Sequence, residues 1–442
     1  MDWLTATASE QGRGILAGLV SPVDLVDAYL DAIERHPDGN LIFARLTPER
    51  ARSEAIAAHD RAKAGLRRGL LDGVPISWKD NIDTAGTATE AGSALLKGRV
   101  PDTDAGVLQN ADAQGLVCLG KTHMTELAFS GLGLNPMTAT PPNALDPALA
   151  PGGSSSGSAV SVSLGLAAAT IGSDTGGSIR LPAAWNGLVG FKPTPGQVPM
   201  RGVVPLCPRF DVAGPLARNV EDCAELFAAI AGRSAPDLTD AQPSGLRLLV
   251  LDGVPFEDAR EGPVAAFEEA VEVLSQAGAS ITRAAPPCVA EAMALSGKLF
   301  SPEGYGVWSA HIEDAPEAMY PPILARFRAG KDVSAPEFVE AWLTLDRLRA
   351  IWAETVAGFD AVILPSAPIM PPDREALLAD ADFFASENLL TLRNTRIGNL
   401  FGLPAISLPT VRPACGIMAM CAAGDDLRLL RVARAMEAAL SG

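Results

Sequence analysis

Hydrophobic residues recur along the chain at two spacings, one typical of helices and one typical of strands. Residues 21–36 show the helical spacing, since Leu25, Tyr29 and Ile33 fall on one face, and they begin with a Ser-Pro pair that often starts a helix. Similar patterns predict further helices over residues 47–65, 104–114, 263–277 and 425–440, a short helix after 122 and a small-residue helix that begins in the tract 152–157.

The strand spacing is clearest at residues 74–79, where Ile76 and Trp78 alternate with Ser77 and Lys79. Short apolar runs predict further strands at residues 116–119, 168–172, 246–251, 279–282, 361–364 and 405–408. Strands that alternate with helices in this way predict an α/β fold, in its simplest form about a dozen elements around one sheet.

Two segments break the pattern. Residues 233–245 are rich in Pro, Ser and Asp, and we interpret them as a linker or a surface excursion. Residues 365–383 are rich in Pro and acidic residues, and they predict a loop between the last two strands.

Composition narrows the class of protein. The chain of 442 residues is 48% hydrophobic and 20% charged, which suits a soluble globular protein with one large domain or two closely joined ones. The N-terminus lacks the pattern of a signal peptide, and the longest apolar run, about 159–172, is too short to cross a bilayer. We therefore expect a cytoplasmic protein without a membrane partner.

The net charge and the spacing of the Cys and His residues argue against a nucleic-acid-binding protein and against a metal site. The net charge of −17, from 52 acidic and 35 basic residues, repels phosphate backbones, so we expect no nucleic-acid partner. Six cysteines lie scattered without a CxxC pair and are interpreted as reduced core residues. Four histidines lie far apart without HExxH spacing, so no metal site is expected.

Ser178 is the first candidate for chemistry because two glycines precede it. Glycines let successive backbone N–H groups point into one concavity, which would stabilise an oxyanion if Ser178 attacked a carbonyl group. The donors would be the N–H groups of Thr175, Gly176, Gly177 and Ser178. An ordinary glycine turn capped by a serine explains the same residues.

A serine nucleophile needs a base, and His123 is the only histidine between residues 70 and 200. Lys79 could serve if burial at the end of its apolar strand lowered its pKa enough to deprotonate it. Ser154 could then pass protons between Lys79 and Ser178. A solvated lysine at the end of a strand is the alternative interpretation.

The tract 152–157 allows two rival interpretations. Its glycines and serines resemble a phosphate-binding loop, but the lysine of that motif is missing. The tract also satisfies GxSxG around Ser155, which would make Ser155 a hydrolase nucleophile with His311 as the only downstream histidine.

Several segments together resemble the amidase signature family. They are GVPISWKDNID at 73–83, GKTHMTE at 120–126, PGGSSSG at 151–157, IGSDTGGSIR at 171–180, PAA at 182–184 and GFKPT at 190–194. The resemblance is strong over residues 20–230 and weaker beyond 246.

The resemblance implies one domain over residues 1–442, with a mixed central β-sheet covered by α-helices on both faces and core motifs at 70–230. It implies Ser178 as nucleophile, Ser154 as bridging serine on a cis peptide bond, and Lys79 as general base. Asp174, Arg180 and Ser155 would hold the loops around these three. Substrate choice would lie with Ala128, Phe129 and the variable regions 284–334 and 365–390.

The function that the resemblance implies is hydrolysis of a carbon–nitrogen amide bond in a small carboxamide, with no cofactor. One alternative is the glutaminase subunit of a tRNA-dependent amidotransferase, which would deliver ammonia to a partner protein. Another is a non-catalytic protein that binds a small molecule. A small amide and, in a homodimer, a second copy of the chain are the partners that we consider.

Overall fold

Eleven strands form a single sheet in the computed structural model, which describes residues 2–441. In chain order they are β1 (Phe43–Leu46), β2 (Pro75–Lys79), β3 (Val117–Thr122), β4 (Thr170–Asp174), β5 (Val189–Lys192), β6 (Val212–Ala217), β7 (Arg247–Leu251), β8 (Ser280–Ala284), β9 (Ala361–Pro365), β10 (Ala405–Pro409) and β11 (Gly416–Met420).

Seventeen α-helices surround this sheet within the same residues. They are α1 (Ala8–Leu16), α2 (Pro22–Arg35), α3 (Gly39–Ile42), α4 (Pro48–Lys63), α5 (Gly106–Ala113), α6 (Ser156–Ser163), α7 (Arg180–Trp185), α8 (Val220–Ala231), α9 (Glu261–Gln276), α10 (Pro287–Ala294), α11 (Ser296–Asp314), α12 (Pro321–Arg328), α13 (Ala335–Val356), α14 (Arg374–Ala379), α15 (Ala381–Thr391), α16 (Arg393–Leu400) and α17 (Asp426–Leu440). Short 3₁₀ turns lie at Ala94–Leu96, Glu126–Ala128, Val254–Phe256, Pro316–Ala318 and Ala329–Asp332.

The sheet is mixed, as predicted. Its strand order is β1-β3-β2-β4-β6-β5-β10-β11-β9-β7-β8. Strand β2 is parallel to β3 and β4, β7 is parallel to β8 and β9, and the other neighbours are antiparallel. Because β2 and β4 are parallel neighbours, Lys79 and Asp174, which end them, lie at the same edge of the sheet.

Both faces of the sheet are buried. In β9, Ala361 and Ile363 pack into one hydrophobic cluster, whereas Val362 and Leu364 pack into another. Because successive residues of a strand point to opposite faces, the two clusters lie on opposite sides of the sheet. Helices α2, α5, α8, α9 and α17 supply residues to the first cluster, and α10–α13, α15 and α16 to the second. The predicted fold class is therefore confirmed.

Several predicted elements are confirmed with small shifts. The helices predicted over 21–36, 47–65, 263–277 and 425–440 are α2, α4, α9 and α17. The strand predicted over 168–172 is β4, displaced by two residues. The short helix predicted after residue 122 is only a 3₁₀ turn.

The segment 365–383 is not the loop that its composition predicted. It contains α14 and the start of α15. The acidic residues that suggested a loop are the helix caps: the Asp373 side chain accepts from the Ala376 N–H, and the Asp380 side chain accepts from the Asp382 and Phe383 N–H groups. The predicted total of about a dozen elements was also too low.

Two other findings concern the whole chain. All six cysteines are buried and unpaired, as predicted for core residues. Within residues 2–441, no helix combines the length and the apolar character needed to cross a bilayer.

Candidate active site

Lys79 is fully buried at the end of β2. Its Nζ donates hydrogen bonds to Ser154 Oγ at 2.7 Å, to Ser173 Oγ at 2.9 Å and to the Ser173 carbonyl at 3.3 Å. Burial lowers the pKa of Lys79 to about 7, although the charges of Asp174 and Asp211 act to raise it. A lysine with this pKa is partly neutral near pH 7 and can accept a proton.

Ser154 is held in a buried turn against Lys79. The Gly153–Ser154 peptide bond is cis, and the Ser154 carbonyl accepts a hydrogen bond from the Thr125 N–H at 3.1 Å. A Cβ atom at position 153 would lie 2.8 Å from Gly133 Cα, so only glycine fits there without displacing the backbone. The turn therefore fixes the Ser154 hydroxyl beside the lysine amine.

Ser178 lies on the loop after β4, and it lines a cavity. Its carbonyl accepts a hydrogen bond from the Ser155 N–H at 3.3 Å, which joins the two serine-containing segments. Within residues 2–441, however, the Ser178 hydroxyl has no hydrogen bond to Ser154 or to any other residue. Of the two hydrogen bonds that the predicted relay requires, the structure therefore contains one, between Lys79 and Ser154.

The loop before Ser178 is organised by the Asp174 carboxylate. Its Oδ1 accepts a hydrogen bond from the Gly177 N–H at 2.8 Å, and its Oδ2 accepts one from the Ile179 N–H at 3.1 Å. Since the Gly177 N–H is already bonded, including Gly177 among the oxyanion donors was wrong. The N–H groups of the other three residues in 175–178 donate to no side chain or loop carbonyl in the described part of the chain, so they are free to bind an oxyanion.

A buried ion pair ties this loop to α16. Arg180 donates to Asp174 through Nε at 3.1 Å and Nη2 at 2.9 Å, and to Asn399 Oδ1 at 2.6 Å. Asn399 Nδ2 donates to Asp174 Oδ1 at 2.8 Å, and Thr395 Oγ1 donates to the Gly176 carbonyl at 2.8 Å. Burial acts to raise the pKa of Asp174, but the Arg180 charge lowers it to about 2. Asp174 therefore stays ionised.

Sequence reasoning missed three polar groups around Lys79, which are Ser173, Asp211 and Asn81. Asp211 is buried, accepts a hydrogen bond from the Thr175 hydroxyl, and receives another from the Leu206 N–H at 2.8 Å. Asn81 Nδ2 donates to Ser173 Oγ at 2.9 Å, which orients that hydroxyl toward the lysine. The sequence offers no local signal for Asp211, because its burial depends on the pairing of β4 with β6.

The cavity lined by Ser178 has a volume of about 620 Å³. Ala128 and Phe129, which the resemblance implied for substrate choice, both line it, and their role in that choice stays a prediction. Both variable regions contribute to its walls, through Ser296, Gly297, Phe300, Ser301, Pro321, Pro322, Ala325, Arg326 and Ala329 from the first and Ala381, Asp382, Phe384, Ala385, Asn388 and Leu389 from the second. Most of these side chains are apolar, so the cavity suits a small molecule with an apolar part.

The two rival interpretations of the tract 152–157 are wrong. The tract is buried throughout, and none of its residues lines the cavity at Ser178. Ser155 Oγ donates to the Ser173 carbonyl at 3.3 Å, whereas His311 is exposed on α11 beside Trp308. The pair therefore cannot act as nucleophile and base.

The chain is similar in sequence and fold to proteins of known activity. The family model described as Amidase matches residues 24–430. The 2-amino-5-chloromuconic acid deaminase of Comamonas testosteroni is 35% identical, over 88% of this chain and 86% of that protein. One subunit of the glutamyl-tRNA(Gln) amidotransferase of Chloroflexus aurantiacus is 31% identical, over 98% of this chain and 96% of that protein. A solved amidase structure, 30% identical, superimposes with a TM-score of 0.86 over 98% of this chain and 100% of that one.

Proposed function

Because this chain belongs to the amidase family, we propose that it hydrolyses the carbon–nitrogen bond of a small carboxamide through an acyl-enzyme on Ser178. The observation that carries the proposal is the 2.7 Å hydrogen bond between Lys79 and Ser154, next to the cavity-lining Ser178. A buried lysine with a pKa of about 7 supplies the base that a serine nucleophile requires.

In the first half-reaction, neutral Lys79 takes a proton through Ser154 while Ser178 Oγ bonds to the amide carbonyl carbon. The N–H groups of Thr175, Gly176 and Ser178 donate to the oxyanion of the tetrahedral intermediate. The proton then passes from Lys79 to the leaving nitrogen, the carbon–nitrogen bond breaks, and ammonia or an amine departs. An ester of Ser178 remains.

In the second half-reaction, water replaces the departed amine. Lys79 accepts a proton from this water through Ser154 as the water oxygen bonds to the ester carbon. The second tetrahedral intermediate collapses, the bond to Ser178 Oγ breaks, and the proton returns to that oxygen. The products are a carboxylic acid and the regenerated enzyme.

The second step of the relay requires the Ser178 hydroxyl to turn toward Ser154. This hydroxyl has no hydrogen bond within residues 2–441, so rotation about its χ1 angle breaks none. Rotation between staggered positions is a small rearrangement for a serine side chain. Completing the relay therefore breaks no existing hydrogen bond of the Ser178 hydroxyl.

A glutaminase subunit is the second candidate, and the similarity to the amidotransferase protein over nearly the whole chain favours it. Glutamine and glutaramate, the monoamide of glutaric acid, differ only in the α-ammonium group and so separate the two candidates. A free-standing amidase should release ammonia from monoamides such as glutaramate with no partner protein. Release of ammonia from glutamine but from no other amide, and only in the presence of a partner protein, would favour the amidotransferase role.

The direct test is ammonia release by the purified chain from a panel of small amides. We expect turnover by the unmodified chain and its loss in Ser178→Ala. Ser156→Ala is the matched control, because Ser156 is a buried serine whose hydroxyl has no hydrogen-bond partner in the described part of the chain. This variant should keep full turnover. Undiminished turnover in Ser178→Ala would overturn the proposal, and a protein that binds amides without hydrolysing them would be a binding protein instead.

A further inference from the structure

Two arginine side chains, Arg326 on α12 and Arg396 on α16, line the same cavity as Ser178, and both residues are half-buried. Within residues 2–441, neither guanidinium forms an ion pair or a side-chain hydrogen bond, and the buried Nε of Arg326 has no partner. Arg180, the fully buried arginine nearby, is paired with Asp174 at 2.9 Å. Arginine is rarely removed from water without a counter-charge, so the unpaired arginines are unusual.

The surroundings of the two arginines are poor in compensating charge. Burial lowers the pKa of Arg326 to about 9, and the neighbouring Arg396 contributes to that lowering. Burial alone lowers the pKa of Arg396 to about 10. Asp382 is the one acidic residue that lines the cavity in the described chain, and it is exposed at the start of α15 without an ion pair.

Packing restrains the Arg326 side chain and the backbone that carries Arg396. Arg326 Cζ lies 4.5 Å from the ring centroid of Phe129, and that ring lies 4.7 Å from the ring of Phe327. Arg396 follows Thr395, whose hydroxyl donates to the Gly176 carbonyl in the loop before Ser178. The Arg326 cation is therefore held in place before any ligand binds, a condition that favours tight and selective recognition.

We propose that the substrate amide carries a carboxylate group, which binds to Arg326 and Arg396 while its amide carbonyl lies at Ser178. The planar guanidinium group matches a carboxylate through two parallel hydrogen bonds, and an anion would supply the counter-charge that the cavity lacks. This inference rests on the proposed amidase function and specifies its substrate class as monoamides of dicarboxylic acids and related amide acids.

The first test compares substrates of matched shape. Monoamides of dicarboxylic acids with four to eight carbons are assayed against unbranched neutral amides of equal length, and 4-carbamoylbenzoate is assayed against 4-methylbenzamide. We expect kcat/KM to favour the best carboxylate-bearing amide over its neutral match by about 100-fold or more, because the neutral amide leaves the two guanidinium groups unpaired. Equal kcat/KM values for the matched pairs would overturn the inference.

The second test assigns the preference to the two arginines. Arg326→Gln and Arg396→Gln should each lower the ratio of carboxylate-amide to neutral-amide kcat/KM by about tenfold or more, and Arg326→Lys should restore part of it. Arg328→Gln is the matched control, since Arg328 lies on the same helix, pairs with Glu313 at 2.9 Å and does not line the cavity. This control should leave the ratio unchanged. An unchanged ratio in both cavity variants, with folding verified by circular dichroism, would contradict the assignment.

A binding measurement separates failure of this inference from failure of the amidase proposal. Calorimetric titration of Ser178→Ala with the same dicarboxylate monoamides requires no turnover. One outcome is that the chain hydrolyses no amide but binds the monoamides, and that Arg326→Gln abolishes this binding. That outcome would support the carboxylate site and contradict the amidase function. The opposite outcome is that the chain hydrolyses amides but a carboxylate on the amide changes neither binding nor rate. That outcome would support the amidase function and contradict the carboxylate site.

Discussion

At the scale of single residues, the burial of Lys79 lowers its pKa and so makes its amine able to accept a proton. Removing an ammonium from water raises the free energy of its charged form, so the neutral amine becomes accessible near neutral pH. The carboxylates of Asp174 and Asp211 limit this effect and keep the pKa of Lys79 at about 7. A general base with a pKa near the working pH is the most effective one.

The pH dependence of kcat/KM should therefore report Lys79. Below its pKa the amine is protonated and cannot accept a proton, so the rate should fall about tenfold per pH unit below pH 7 and level off above it. The measurement is kcat/KM for one amide from pH 5 to pH 9. A rate that stays constant from pH 5 to pH 7 would contradict the role of Lys79 as base.

Two other buried groups require control variants in that measurement. Burial raises the pKa of Glu126 to about 7, and burial lowers the pKa of Lys192 to about 7. Within residues 2–441 neither has a hydrogen bond to Ser154 or Ser178, so we expect Glu126→Gln and Lys192→Met to retain the inflection near pH 7. Loss of the inflection in either variant would assign it to that residue instead of Lys79.

The proposed catalytic residues were predictable only where motifs mark them. Lys79, Ser154 and Ser178 stand in segments that resemble a known family, and the structure brings Lys79 and Ser154 into contact. Their neighbours Ser173 and Asp211 could not be predicted, because these contacts follow from strand pairing between distant parts of the chain. Whether the three residues act in catalysis stays a prediction.

At the scale of elements, α16 secures the loop that presents Ser178. Thr395 and Asn399 lie four residues apart and so share one helical face. From this face, Thr395 contacts Gly176, and Asn399 contacts Asp174 and Arg180. The spacing of Thr395 and Asn399 in the sequence was the signal for these contacts, and sequence reasoning overlooked it.

Asn399→Ala should weaken both the fold and the reaction. It removes one donor to Asp174 and one acceptor from Arg180 in a fully buried network, which should lower the free energy of unfolding by about 1–3 kcal/mol and reduce kcat. Urea denaturation and steady-state kinetics measure the two effects. Asn110→Ala is the control, because Asn110 donates to the Ile230 carbonyl away from the site; its kcat should not change. An equal loss of kcat in both variants would contradict the proposal that Asn399 holds the loop before Ser178 in place for the reaction.

The pattern of apolar residues predicted the elements whose signals are local. Helix α2 was predictable because its Ser-Pro start and its apolar face both lie in one short segment. The helices of 284–334 and 365–390 were missed because they pack on one another and on α13 and α16, and several of them line the cavity. There an acidic residue such as Asp373 can start a helix or end a loop, and only the packing decides between them.

At the scale of the whole molecule, the sheet divides into two sequential halves. Strands β1–β6 form one half and β7–β11 form the other, and they meet where β5 pairs with β10 at Phe191 and Ile406. The first half supplies Lys79, Ser154 and Ser178, while α11, α12, α15 and α16 of the second supply much of the cavity wall. The site therefore depends on both halves.

A cut in the exposed segment 233–245 tests this arrangement. This segment contains no helix or strand and joins the two halves. A protease site inserted after Asp240 should be cleaved readily, yet the two fragments should elute together and keep most of the amidase activity, because the β5–β10 pairing and the buried contacts of Asn399 remain. Gel filtration and ammonia release measure the outcome. Fragments that separate without denaturant would contradict it.

The central claim is that Ser178 is the nucleophile activated by Lys79 through Ser154. It is tested most directly by treating the protein with a fluorophosphonate, which labels activated serines, and locating the label by mass spectrometry of the peptides. We expect one label, on Ser178, that is lost in Ser178→Ala, greatly slowed in Lys79→Ala and unaffected in Ser156→Ala. A label on Ser155 instead, or full labelling at Ser178 without Lys79, would contradict the mechanism.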